Sequence, residues 1–187
     1  MNGRTITRHS LMLTFAAALA GCGSGESASA QDETERVSAC DLVSKADIEA
    51  VIGAPVAEPS DFSSGAGGSL MSSCAYDTGV VVRAWNPYRS GESTSGAWAA
   101  KLEAEREKDA AKETDPEMKE LRAALTAKLQ PIDDLGAPAA LEDLREQAGQ
   151  VALHVYASGK GGVNFSIYAT DLETARALTM KALQKLR

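Results

Sequence analysis

The chain has 187 residues, of which 44% are hydrophobic and 24% are charged, so it can form one globular domain of ordinary composition. Aromatic residues make up only 5%, which predicts an aliphatic, alanine-rich core. The formal net charge of −7 argues against a nucleic-acid partner, because an acidic surface repels phosphate groups.

The first 22 residues have the pattern of an export signal. Arg4 and Arg8 precede an apolar run at 11–20 that is too short to cross a bilayer as a helix. The run leads into Leu-Ala-Gly-Cys at 19–22, which resembles the lipobox of bacterial lipoproteins. This resemblance implies that the peptide is cut before Cys22 and that Cys22 carries more than one acyl chain, which is a stable membrane anchor. The alternative is an ordinary secretory signal with a chance cysteine.

Positions 23–36 are rich in Gly, Ser, Ala and acidic residues and lack apolar periodicity, as is typical of a flexible tether. At about 5–6 Å times √n, this tether spans roughly 20 Å root-mean-square. Under the sorting rule of such lipoproteins, Asp after the cysteine retains the protein at the inner membrane. Gly23 therefore implies the outer membrane, facing the periplasm, in a cell that has one. The predicted segments are a signal peptide at 1–21, lipidated Cys22 and the tether at 22–36, and an envelope domain at 37–187.

A short capped helix is predicted near the start of this domain. Ser44 and Asp47 have the spacing of a capping box, and Gly53 suits the position just after the last turn. Between them, an apolar stripe is formed by Ile48, Val51 and Ile52. The segment 60–73 is rich in Ser and Gly and is predicted to be a loop.

Two strands and a charged helix are predicted next. Positions 74–76 and 80–85 have strand character on either side of a turn. The alanine-rich segment 96–114 is predicted to be a helix with Trp98 and Leu102 as its apolar anchors. Its charges are interpreted as a solvated face.

A further helix is predicted from Asp115 and Pro116, which suit the cap and the first helical position. Its predicted buried stripe consists of Met118, Leu121, Leu125 and Leu129. The segment 139–150 is predicted to contain a short edge strand.

The clearest signal is a β-hairpin at 151–169. Positions 151–157 and 163–169 alternate apolar and more polar side chains and flank a Gly-rich link. The alternation predicts one buried face that includes Phe165 and one wetter face that includes His154. A helix with a capping box at 170–173 follows. The predicted fold class is therefore α+β, an antiparallel sheet packed with helices in a single compact domain.

Cys40 and Cys74 form an even pair in a chain predicted to be exported, so a disulfide is expected. Closing this loop stabilises the fold by roughly 3–4 kcal/mol in the chain-entropy model. A redox or metal pair is the alternative, but a metal needs more ligands, and His154 is the only histidine after the predicted leader. We predict no metal site and no cofactor.

No catalytic motif is recognisable in the sequence. The link at 158–162 lacks the spacing of a phosphate-binding loop, and there is no Gly-x-Ser-x-Gly nucleophile motif. His154 needs a positioned partner to act as a general base, and the sequence identifies none. We therefore predict that the protein is not an enzyme. The alternative is an envelope hydrolase that combines His154 with a serine and a carboxylate.

A binding surface is predicted at the end of the second strand and in the loop after it. Arg83, Trp85, Tyr88 and Arg89 bring two aromatic rings and two cations together in an acidic protein. Such residues are favoured at interfaces, and the expected partner is an envelope protein or a small ligand. The alternative is that Trp85 packs beneath the helix at 96–114 and that Arg83 pairs with a glutamate.

Three short motifs resemble a recurrent pattern in bacterial lipoproteins of unknown function. They are Cys-Asp-Leu-Val-Ser at 40–44 leading into a helix, Cys-Ala-Tyr at 74–76, and Leu-Gly-Ala-Pro-Ala at 135–139, where Ala137 replaces the usual Asp. That family is similar in architecture to PsbP-like α/β sandwiches, which are accessory or binding modules. The resemblance implies a non-catalytic role and brings no catalytic residues with it.

Overall fold

A computed structural model of the chain describes residues 36–66, 69–124, 126–159 and 162–187. The predicted signal peptide, Cys22 and the tether before Arg36 lie outside these residues. The strands are β1 (Ser60–Ala66), β2 (Ser69–Ala75), β3 (Val81–Asn86), β4 (Leu129–Ile132), β5 (Ala139–Leu144), β6 (Gln150–Ala157) and β7 (Val163–Ala169). The helices are α1 (Ala39–Leu42), α2 (Lys45–Ile52), α3 (Ser95–Lys112), α4 (Pro116–Ala124), α5 (Arg145–Ala148) and α6 (Leu172–Leu186).

The seven strands form one antiparallel sheet in the order β1-β2-β3-β7-β6-β5-β4. It consists of two meanders, β1 to β3 and β4 to β7, which join where Val82 of β3 lies opposite Ile167 of β7. The chain between the two meanders forms α3 and α4. The predicted α+β class is confirmed, with an antiparallel sheet and helices in a single compact domain.

The first face of the sheet carries the main core. On this face α1 contacts β2 and β3, α6 contacts β6 and β7, and α2 packs against α6. Phe165 and Ile167 are fully buried here, as the hairpin alternation predicted, and α6 contributes Leu178 and Leu183. The apolar stripe of the last helix and the hairpin therefore meet as expected.

The second face of the sheet is partly covered by α3, which contacts β4 and β5. Trp98 of this helix is fully buried and packs in one cluster with Leu129, Ala140 and Tyr156. The prediction that the hairpin has a wetter face is wrong for β6, because every residue from 151 to 157 is buried. The reason is that α3 covers this side of β6: its Trp98, the predicted apolar anchor, packs against Tyr156.

Local signals at the start of the domain are confirmed. Ser44 and Asp47 form a capping box on α2, and the helix ends at Gly53 with a left-handed φ of 76°. Cys40 and Cys74 form the expected disulfide, which links α1 to β2. The last helix is capped by Asp171, one residue later than the predicted box begins.

The predicted loop at 60–73 is wrong, since most of it forms the hairpin of β1 and β2. A ladder of main-chain hydrogen bonds does not require apolar side chains, so a serine-rich segment can pair when a neighbouring strand offers an edge. Ser72 is also used structurally, because its Oγ accepts a hydrogen bond from the Ala39 amide at 2.8 Å.

Two further predictions differ from the structure. The predicted buried stripe of α4 is exposed instead: Met118 is 47% and Leu121 is 51% exposed. Leu129, the last residue of that predicted stripe, belongs to β4. Leu125 lies outside the described residues. The strand expected in 139–150 exists as β5, but it is paired on both sides and is not an edge. The short helix α5 follows it.

Candidate functional site

The second face of the sheet divides into two halves. In the half formed by β4, β5 and β6, called here the covered half, α3 lies over the strands. In the half formed by β1, β2 and β3, called here the open half, Phe62 lies opposite Ser73, which lies opposite Arg83, and Met71 lies opposite Trp85. Directly opposite residues point to the same side, so these side chains form one continuous surface.

The open half contains a groove of about 590 Å³. Its large side chains are Phe62, Met71, Arg83 and Trp85, and its other lining residues are Asp61, Ser63, Ser64, Ser72 and Ser73. Phe62 is 67% and Met71 is 51% exposed. Contiguous exposed apolar groups are uncommon on soluble domains and mark contact sites. The groove is therefore the candidate binding site.

Arg83 supplies the positive charge of the open half. Its guanidinium lies 5.0 Å from the ring centroid of Tyr168, a cation–π distance. Burial raises the pKa of the Tyr168 hydroxyl, with the nearby Arg83 charge opposing that shift. Within the described residues Arg83 takes part in no ion pair, so the alternative that pairs it with a glutamate is not what the structure shows.

The four residues predicted to form a binding surface are not all in one place. Arg83 and Trp85 line the groove, and Trp85 does not lie beneath α3. Tyr88 instead belongs to the covered half, with its ring centroid 5.9 Å from that of Trp98 and 6.1 Å from that of Tyr156. Arg89 is exposed in the loop after β3.

A line of polar side chains from four elements begins in the covered half and extends onto β7. His154 of β6 has its Nε2 3.0 Å from Oε2 of Glu142 on β5 and its Nδ1 2.8 Å from Oγ of Ser166 on β7. Arg106 of α3 completes the line, with Nη2 2.5 Å from the same Glu142 oxygen. Ser166, Glu142 and His154 are 2%, 4% and 8% exposed.

The carboxylate of Glu142 is the ionised acidic group of this line. Burial raises the pKa of Glu142, but the hydrogen bond from His154 and the Arg106 charge outweigh it and leave that pKa lowered. An ionised carboxylate only accepts hydrogen bonds, so Nε2 of His154 carries a proton. When this is the only proton on the ring, Nδ1 accepts a hydrogen bond from the Ser166 hydroxyl.

This line brings together the residue types that the hydrolase alternative requires. A serine nucleophile has to reach a substrate carbonyl, with hydrogen-bond donors placed for the oxyanion. Ser166 is almost fully buried, and it lies within β7 between Arg83 of β3 and His154 of β6, so its main-chain amide belongs to the sheet. The contacts of this line connect β5, β6 and β7 to one another and to α3.

Sequence reasoning missed Glu142 and Arg106. Glu142 interrupts an otherwise largely apolar strand, which is the one local signal that it has a special environment. Its position beside His154 depends on the register of β5 against β6, where Glu142 lies opposite Ala152. Arg106 stands among the charges of α3 with nothing in its sequence neighbourhood to distinguish it.

Comparison of the chain with protein-family models, with curated proteins and with solved structures finds no match. Among the residues that the structure describes, no helix has the length and apolar character needed to cross a bilayer. The same residues contain no cluster of three or more His, Cys, Asp or Glu side chains suited to a metal ion. Within the described residues, the candidate binding site is the groove in the open half.

Proposed function

We propose that the protein is a non-catalytic binding domain of the cell envelope, anchored to a membrane by lipid on Cys22. The observation that carries this proposal is the open half of the sheet. There Phe62 and Met71 are mostly exposed beside Trp85 and the cation of Arg83. On the same face of the sheet, α3 covers the apolar groups of the other half through its buried Trp98, so the apolar groups left exposed in the open half favour a contact made in the cell.

Export is supported by two independent features. The lipobox-like sequence at 19–22 follows an apolar run with basic residues before it. The Cys40–Cys74 disulfide suits the oxidising conditions found outside the cytoplasm. Together they favour an envelope location and an anchored protein.

The binding role is tested by placing a photo-crosslinking residue at Met71 and, as a matched control, at Met118. These methionines are 51% and 47% exposed, but only Met71 lies in the open half. Irradiation of intact cells is expected to give adducts from position 71 and few from position 118. Equal adduct yields at the two positions, or none at position 71, would contradict a binding surface here.

The anchor is tested by Cys22→Ala, because the sequence offers no other lipidation signal. Wild-type protein is expected in the detergent phase after phase separation of cell membranes, and the variant in the aqueous phase. A variant that stays wholly in the detergent phase would rule out Cys22 as the anchor.

The hydrolase alternative has one observation in its favour, the Ser166–His154–Glu142 line. A fluorophosphonate probe labels serines that are activated and accessible. We expect no labelling, because Ser166 is only 2% exposed. Labelling that disappears in Ser166→Ala would revive the alternative.

A further inference from the structure

The two outer strands of the sheet, β1 and β4, differ in how their free edges are protected. β4 has only four residues, and Pro131 within it has no main-chain N–H to donate. β1 has seven residues, and its sequence Ser-Asp-Phe-Ser-Ser-Gly-Ala contains neither proline nor lysine. Short length, proline and lysine are common protections of an edge strand against pairing with another chain. The edge of β1 therefore lacks the protections that β4 has.

The free edge of β1 offers unused main-chain hydrogen-bonding groups. All seven residues of β1 pair with β2 on one side. Among the residues that the structure describes, no strand lies on the other side of β1, and no turn or loop main chain is hydrogen-bonded to it. A row of free N–H and C=O groups is complementary to a second extended strand. The kind of partner that fits this edge is therefore a β-strand.

The side chains of this edge favour a second copy of the same strand. Residues 60–64 are all exposed, and Phe62 in their centre is 67% exposed. An antiparallel pair of β1 with itself, with its two-fold axis at Phe62, places the two Phe62 rings opposite each other. It also places Ser60 of each copy opposite Ser64 of the other. Opposed aromatic side chains and opposed hydroxyls both stabilise strand pairs.

Charge favours the same register. Asp61 is the only charged residue of β1, and in a pair centred on Phe62 it lies opposite Ser63 of the other copy. Within one chain Ser63 Oγ already donates to Oδ1 of Asp61 at 3.1 Å, and a carboxylate has further lone pairs to accept a second hydroxyl. A pair centred on Asp61 would place the two carboxylates opposite each other, which is destabilising. The edge is therefore self-complementary about Phe62.

From these observations we infer that two copies of the chain join by antiparallel pairing of β1 with β1, so that the sheet continues from one copy into the other. One strand pair buries less than the roughly 1,200 Å² of a standard interface, so the dimer is weak in dilute solution. Anchoring on one membrane supplies the effective concentration that it needs. The inference goes beyond the proposed binding role and rests only on its anchor at Cys22. Pairing at the edge leaves Trp85 and Arg83 of both grooves accessible on the same side of the joined sheet.

The test is disulfide cross-linking in membranes from cells that produce the full chain with Phe62→Cys. Cys40 and Cys74 are bonded to each other, and Cys22 is the proposed lipid site, so the new thiol is the one available to pair. Directly opposite residues have Cα atoms about 4.5–5.5 Å apart, which a disulfide can span. Treatment with a mild oxidant is expected to give a dimer on a non-reducing gel that disappears on reduction.

The matched control is Ser64→Cys, which is exposed on the same side of the same strand. In this register the two copies of position 64 are four residues apart along the strands, or roughly 13 Å, so several-fold less dimer is expected. Ser60→Cys combined with Ser64→Cys keeps Phe62 and is expected to restore the dimer. Equal yields from positions 62 and 64, or no dimer from position 62 in protein recovered with the membranes, would overturn the strand pairing alone. Protein that is not recovered with the membranes would overturn the anchor and the inference together.

The register is tested by changing the charge opposite Asp61 in the Phe62→Cys background. Ser63→Asp places carboxylates opposite each other twice and is expected to lower the yield of dimer several-fold. Ser63→Lys places opposite charges there and is expected to retain the dimer. Equal yields from these two variants would overturn the pairing centred on Phe62.

Discussion

The covered and open halves of the second sheet face belong to one sheet but differ in what lies over them. In the covered half Tyr156 is only 7% exposed because α3 brings Trp98 onto it, whereas in the open half Phe62 is 67% exposed. Strand alternation decides which side chains share a face, and this holds in both halves. Whether those side chains are shielded from solvent depends on α3, which comes from another part of the chain.

The two halves also treat charge differently. Glu142 in the covered half is buried, forms an ion pair with Arg106 and is hydrogen-bonded to His154. Arg83 in the open half is exposed and rests on the Tyr168 ring. A buried ion needs partners within the protein, whereas an exposed one is available to a ligand or a surface. The Glu142 cluster therefore stabilises the fold, whereas the surface around Arg83 is available for binding.

The largest expected effect comes from removing the side chain that seals the covered half. Trp98→Ala is expected to destabilise the domain by about 3–5 kcal/mol, since it leaves a cavity and removes the hydrogen bond from the indole to the His154 carbonyl. Denaturant unfolding followed by circular dichroism measures this loss. A loss below about 1 kcal/mol would show that α3 contributes little to covering this half.

The open half depends on a covalent link on its opposite side. The Cys40–Cys74 disulfide fixes β2, its central strand, to α1. Cys40→Ser with Cys74→Ser is expected to cost about 2–5 kcal/mol of stability. Hydrogen exchange should show the amides of β1 and β2 losing more protection than those of β5 and β6. Uniform loss across the sheet would mean that the two halves unfold as one unit.

A smaller effect with a distinct pH dependence is expected at Glu142. Its pKa is lowered from 4.5 in the folded protein, so its stabilising contribution is present above that value and is lost as pH falls through the folded pKa. Glu142→Gln is expected to lower the free energy of unfolding by about 1–3 kcal/mol at pH 7. The variant is also expected to lose less stability than wild type as the pH falls. Unfolding of both proteins between pH 7 and pH 3 measures it, and parallel pH profiles would contradict the assigned charge.

Much of the first face could be predicted because its residues obey simple periods. The alternation around Phe165 and Ile167, the capping box at Ser44 and the terminal helix stripe are all local patterns, and the structure contains them. The disulfide was equally accessible, since only two cysteines follow the predicted leader and they leave one pairing.

The second face could not be predicted in the same way, because it depends on contacts between distant segments. The pairing of the serine-rich β1 and β2 comes from main-chain hydrogen bonds, which leave no apolar pattern. Glu142 and His154 meet only through the register of two strands, and Tyr88 turns to Trp98 rather than to Arg83. Thus Arg83 and Trp85 of the candidate groove could be predicted, whereas Phe62 and Met71 could not, because their segment was expected to be a loop.

The smallest expected effect on stability comes from the apolar side chains of the open half. Phe62 and Phe165 are both strand phenylalanines, but Phe62 is 67% exposed and Phe165 is fully buried in the main core. Phe165→Ala is expected to cost about 3–5 kcal/mol, because it leaves a cavity, and Phe62→Ala to stay within about 0.5 kcal/mol of wild type. Parallel denaturant titrations of the two variants give the comparison. Similar losses at both positions would mean that something in the purified protein already covers Phe62, and the open half would then be an interface between copies of this chain. A small loss at Phe62 together with weaker photo-crosslinking from position 71 in the Phe62→Ala background would instead assign its side chain to binding rather than to folding.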